Sequence, residues 1–171
     1  KRHPHHGLIS ILLSLGLILH GLILSGDMLT PMGINYDVFN LMSFTSALML
    51  LLSLLYSSYR PVIALNLIGI PVPAPGLTLG FTLSQPKEFV IAQNTLGLDI
   101  HIILSLSAYA VLLMATIHAV LLWLQNRELK NKQKNRVWVS LLPSYQAMES
   151  LLFDMLITGF GLLSVALLFG F

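Results

Sequence analysis

The chain has 171 residues, 56% hydrophobic and 9% charged, with nine Lys/Arg, seven Asp/Glu and a formal net charge of +2. A soluble domain carries about 25% charged residues, so these side chains cannot clothe a water-facing exterior, and most of the surface must face hydrocarbon. Cysteine is absent, which excludes disulfides, thiolate metal sites, a cysteine nucleophile and the C-x-x-C-H attachment of a c-type cytochrome; nothing in so small a net charge calls for a nucleic-acid partner.

The chain opens on KRHPHH, a basic start whose His3, His5 and His6 read either as a metal-binding tract or as a solvated end. The apolar run that follows, from about Leu8 to Leu24, has no small-residue cleavage site and reads as a first span. A second span is expected over about 38–56. The third, about 61–79, is interrupted by Pro71, Pro73 and Pro75. These prolines lie toward its far end, where they are expected to terminate the helix. The fourth runs over about 98–124 and the fifth over about 147–171. A crossing helix needs about 20 apolar residues, and strand-type alternation is missing, so a β-barrel is excluded. The expectation is all-α: a polytopic transmembrane helix bundle of five spans, one domain over 1–171. Because the first residue is Lys1 and Phe171 falls inside an apolar run, the chain reads as a fragment of a longer one.

The charges set the expected topology. Lys1 and Arg2 precede the first span, Arg60 follows the second, and NRELKNKQKNR between the fourth and fifth holds Arg127, Lys130, Lys132, Lys134 and Arg136; only Lys87 lies elsewhere. The positive-inside rule places the Lys1 end, Arg60 and the 126–136 loop in the cytoplasm. Arg60 and that loop share a side only if the chain crosses twice between them, so the third segment is expected to cross. The loops 25–37 and about 80–97 then face outward, and Phe171 ends on the outer side.

Three further histidines sit inside apolar segments, where an ionisable group is costly and marks a functional candidate. At 1.5 Å per residue, His20 lies about 7 Å below the outer end of the first span, and His101 within about four residues of the outer end of the fourth. His118 is about 25 Å deeper than His101 and turned about 100° around the helix, so it cannot share a small site with it; a structural role at the inner interface is expected. Two imidazoles without cysteine or clustered carboxylates suit zinc poorly. A haem iron needs only axial ligands and an apolar slot. Ser105 and Ala108, at i+4 and i+7 from His101, are small enough to admit a flat ring or simply to let helices pack closely. On the residues alone, His101 reads either as a haem ligand or as a hydrogen-bonded interfacial histidine, with Asp99 placed to orient it.

LDIHIILSLSAYAVLLMA resembles a family helix that begins with a histidine and carries an (S/A)-Y-A motif, here Ala108-Tyr109-Ala110. LQNRELKNKQ resembles the charged cytoplasmic loop that follows it, LLPSYQAMESLLFDMLITGFGLLSVALLFGF the next segment, and SGDMLTPMGINYDVFNLMSF a loop and helix opening nearer the front. By these stretches the chain is identified as a member of the integral-membrane cytochrome c assembly proteins, the CcsA/CcmC/CcmF superfamily, and is most similar to its small YpjD/HemX-like branch. The resemblance implies a bacterial inner (cytoplasmic) membrane location, haem b as cofactor, and other cytochrome c maturation proteins as partners beside membrane lipid. It makes His101 an external-side axial ligand with Ser105, Ala108 and Tyr109 on the same helix, and puts His20 where a second, membrane-buried ligand lies. The family's W-W-D motif is missing, since the two tryptophans are Trp123 and Trp138. Haem binding and handling is therefore expected rather than synthetase or other enzyme activity.

Two other classes compete. A non-haem scaffold or regulatory subunit would use the basic inner face to dock a partner. A small-solute transporter would use the proline-broken third segment as its site, with Glu149 or Asp154 relaying protons.

Overall fold

The computed structural model describes residues 4–31, 33–59, 73–83, 96–130 and 142–170. Among the described residues there are five helices: α1 (Pro4–Met28), α2 (Val38–Tyr59), α3 (Pro73–Leu83), α4 (Leu96–Lys130) and α5 (Tyr145–Phe169). A short antiparallel hairpin, β1 (Leu29–Thr30) and β2 (Gly33–Ile34), joins α1 to α2 with Leu29 opposite Ile34 and Thr30 opposite Gly33. Four of the helices, all but α3, are long and apolar enough to cross a membrane. The chain is a multi-pass membrane protein.

Of the third segment, expected to span 61–79, positions 61–72 lie outside the described residues. Its described helix has 11 residues, about 16 Å at 1.5 Å per residue, against a hydrocarbon thickness of about 30 Å. Two of the prolines stand at the start of this helix. Pro73 is the first residue of α3 and Pro75 the third. In a first turn the missing N–H has no intrahelical acceptor to lose, and the fixed φ already suits the helix. The other helices overrun their apolar runs. α4 continues to Lys130 because Leu, Gln, Arg, Glu and Lys are good helix formers in water as well as in lipid.

Local polar chemistry builds one end of the bundle. Gly33 has φ 133°, a conformation that suits glycine alone, and the Thr30 hydroxyl donates to the Gly33 carbonyl at 2.7 Å. Asn35 N–H then donates to Met28 O at 2.8 Å, closing the hairpin onto the last turn of α1. Asn35 Oδ1 accepts from Asp37 N–H at 3.1 Å, an Asx turn. Asp37 caps α2 by accepting from Phe39 N–H at 3.2 Å, satisfying a donor that the helix start leaves open. Asn35, Asp37 and Asn40 are all buried.

The Tyr36 hydroxyl, next to that cap, donates to the Asp99 carboxylate in the first turn of α4. The starts of α2 and α4 therefore share the hairpin end, and the two helices run parallel. α3 packs on α2. α5 runs back against α4, the most extensive helix pair in the molecule. Lipid tails are as apolar as leucine, so this pairing depends on close fit and not on expulsion of water. Ala108, Ala110, Val111 and Ala115 of α4 and Met148, Leu151 and Met155 of α5 are fully buried. Met49 of α2 closes the same cluster. A Cβ on Gly159 would lie 2.6 Å from Leu112 Cδ2, so α5 approaches α4 as far as a glycine allows. Gly76 does the same for α3: a Cβ there would lie 3.0 Å from the Met42 carbonyl and collide with Ser46 Oγ.

His118, 2% exposed, ties this pair near the other end, its Nε2–H donating to Met148 O at 3.1 Å. The buried Gln125 amide donates to Pro143 O at 2.8 Å, just before the Ser144 cap of α5. His118→Leu, which keeps the volume and removes the donor, is expected to lower stability in detergent by about 1 kcal/mol, the scale of interhelical hydrogen bonds in membranes. Gly33→Ala is expected to cost about 1–3 kcal/mol through its disfavoured φ. Thermal or denaturant unfolding of the purified protein checks both.

Candidate functional site

His101 sits in the second turn of α4, at the hairpin end, half-buried against the last turn of α5. A helix leaves its last four carbonyls without intrahelical partners. In α5 the closing N–H of Gly170 turns back to Leu167 O at 3.2 Å, in the tight i+3 fashion common at helix ends. The Ala166 carbonyl is thus left for a side chain, and His101 Nδ1 lies 2.7 Å from it. A carbonyl only accepts, so Nδ1 carries the proton, and in the neutral ring Nε2 holds the lone pair. Gly170 packs on the same imidazole: a Cβ there would stand 2.8 Å from both Cε1 and Nδ1. The ring is fixed in tautomer and orientation by two backbone elements of α5.

The remaining expected site residues take up different surroundings. Ser105 is half-buried and Ala108 is 0% exposed, both on the stripe that continues through Leu112 and Ala115 along the α5 seam. Their small size permits close helix packing. Tyr109, eight residues on from His101 and so about 80° around the helix, is 59% exposed. His20 is buried, 7% exposed, and belongs to another seam. Its Nε2 lies 3.1 Å from Ser43 O and 3.3 Å from Ser43 Oγ, so α1 is tied to α2 by the imidazole N–H. Nε2 is then the protonated atom, and only Nδ1 has a lone pair. The two candidate ligands thus differ in available nitrogen as well as in helix pair. Asp99 takes the Tyr36 hydroxyl in place of the imidazole foreseen for it. Burial, and then the carboxylate it bonds, push the Tyr36 hydroxyl above the ordinary tyrosine range, so it remains a donor.

Among the described residues no group of three or more His, Asp or Glu is placed to hold a metal ion. Chemically the site offers one imidazole nitrogen with a lone pair, Nε2 of the half-buried His101, on a ring whose Nδ1–H is held by the end of α5. That suits one axial position of an iron porphyrin, whose ring supplies its own four nitrogens. On the adjacent face of α4, Ile102, Ile103 and Leu106 border an apolar cavity of about 420 Å³ shared with α1, α2 and the hairpin. Reading the sequence alone missed Tyr36, Ala166 and Gly170. Tyr36 lies in a loop with no periodic signal, and at the other two positions the functional element is a carbonyl and a missing side chain.

At the basic end the Arg127 guanidinium lies 5.8 Å from the Trp123 ring centroid, a cation–π distance. Glu149 is half-buried and Asp154 exposed, and neither lines the cavity beside α4.

The family model described as Cytochrome C assembly protein matches residues 8–171. No curated protein and no solved structure matches the chain. With nearly its whole length covered, the chain belongs to the cytochrome c assembly protein family.

Proposed function

We propose that this protein binds and hands on haem b at the hairpin end during cytochrome c maturation, with His101 Nε2 as an axial ligand. The observation that carries the reading is the hydrogen bond from His101 Nδ1–H to Ala166 O at 2.7 Å. Metal-ligating histidines nearly always donate their other nitrogen to a carbonyl or carboxylate, which sets the tautomer and raises ligand basicity. The α5 terminus performs that service here, and Gly170 leaves the ring room to sit flat against it. When bound, haem supplies the iron and its redox chemistry; the chain supplies a preset imidazole and an apolar surround.

His20 is the weaker ligand, because its ring is buried between α1 and α2 and its remaining lone pair is on Nδ1. Ser105, Ala108 and Tyr109 serve as the helix on which the ligand is mounted, with Tyr109 facing outward. The positive charges at the α4 end, Arg127 and Lys130 among them, support a cytoplasmic basic end. His101 then opens on the outer side of a bacterial inner membrane, where cytochrome c maturation partners meet it.

Full-length protein purified in detergent is expected to show a Soret band that His101→Ala abolishes and His20→Ala retains in larger part. Gly170→Ala is expected to shift that band or lower occupancy while leaving the unfolding temperature nearly unchanged, because its Cβ meets the imidazole and little else. A wild-type protein without a Soret band, or one whose band survives His101→Ala, overturns the reading.

A further inference from the structure

The cavity of about 420 Å³ between α1, α2, α4 and the hairpin is separate from the imidazole site, since neither His101 nor His20 lines it. Its walls are aliphatic and aromatic: Leu17 and Leu24 of α1, Phe44 and Leu51 of α2, Ile102 and Leu106 of α4 among them. Only two lining side chains carry hydroxyls, and both are spent. Ser25 donates to Leu22 O at 2.8 Å, and Tyr36 donates to Asp99. A water molecule needs two to four polar partners, and this space offers none that is free. A polar ligand would find little to bond, while an alkyl chain would meet apolar atoms along the lining.

The shape narrows the occupant further. Along α1 the lining runs from Leu17 to Met28, about 16 Å at 1.5 Å per residue, close to half of the ~30 Å hydrocarbon layer and so one leaflet deep. It begins at the hairpin, where the helices emerge, and extends inward parallel to them. Gly21 lines it as well, and a Cβ on Gly21 meets nothing within 4 Å. A mid-helix glycine destabilises a helix relative to alanine. At Gly76 and Gly159 a neighbouring helix fills the space a side chain would take, whereas at Gly21 that space belongs to the cavity.

We infer that this cavity is a binding site for one acyl chain of a membrane phospholipid, entering from the hairpin-side leaflet, with Gly21 keeping its wall open. The hydrocarbon-only lining and the one-leaflet depth select an alkyl chain over a porphyrin, which would need a ligand atom and partners for its carboxylates.

The test places full-length protein in phosphatidylethanolamine–phosphatidylglycerol vesicles containing phosphatidylethanolamine with a diazirine on its acyl chain, and maps photoadducts by peptide mass spectrometry. Labelling is expected to concentrate on Leu17–Met28 and Ile102–Leu106, above the level at Ile157 and Leu168 of α5, which are 72% and 78% exposed and report ordinary lipid contact. Gly21→Phe fills the space without a Cβ clash and is expected to bring that labelling down to the α5 level. Gly16→Phe is the control, because Gly16 is equally open but does not line the cavity. Labelling no higher than on α5, or unchanged by Gly21→Phe, overturns the inference. So do crosslinks from a photoreactive residue at Leu17 to protein in place of lipid, and so does loss of the Soret band in Gly21→Phe with lipid labelling intact. Should Gly21→Phe fail to fold, the wild-type enrichment over α5 still decides the matter. The haem spectrum is a separate readout, so the two proposals stand or fall apart.

Discussion

In hydrocarbon there is no water to satisfy a polar hydrogen, so a buried imidazole must find its partner in the protein. All three histidines of the apolar layer meet that demand in the same way, through one ring N–H to the carbonyl of a neighbouring helix. His20 reaches Ser43, His118 reaches Met148 and His101 reaches Ala166. The first ties α1 to α2; the other two hold α4 to α5 near both ends of their contact. Hydrophobic collapse does little to pair helices inside a membrane, and these few directional contacts, with close glycine and alanine packing between them, set which helices are neighbours.

The same requirement creates the site. At Ser43 and Met148 the imidazole adds a second bond to a carbonyl inside a helix. At Ala166 it meets a carbonyl that the end of α5 has left open. The tie at the hairpin end therefore uses Nδ1 and leaves the lone pair on Nε2, whereas the other two use Nε2. One residue type thus serves as a fastener at two places and as a prospective ligand at the third, according to which nitrogen the helix end captures. The frame around it is stiff. The Asn35–Asp37 turn caps α2, and Tyr36 grips Asp99 two residues before the imidazole. Registry between hairpin, α4 and α5 is in this way passed directly to the ring.

Glycine plays contrasting parts in this small bundle. Gly76 and Gly159 admit a neighbouring helix, Gly170 admits the imidazole, and Gly33 supplies a backbone angle. Gly21 admits none of these and borders open apolar space.

Composition and charge alone determined that this chain lives in a membrane, that its secondary structure is helical, and where its long apolar helices run. Those are consequences of solvent: too few charges to face water, and backbone groups that must bond internally. They also singled out His101, because an imidazole in an apolar run is expensive wherever it points. In the third segment a proline cluster can end one helix and begin another with equal ease, and Pro73 and Pro75 stand in the first turn of α3. The pattern of residues did not reveal that Asp99 would bond Tyr36, that Ser105 and Ala108 would pack a seam, or that His20 and His101 would present different nitrogens. Each of these depends on which backbone carbonyl or side chain arrives from a distant part of the chain, and only the tertiary structure decides that, because hydrogen bonds are spent between neighbours in space.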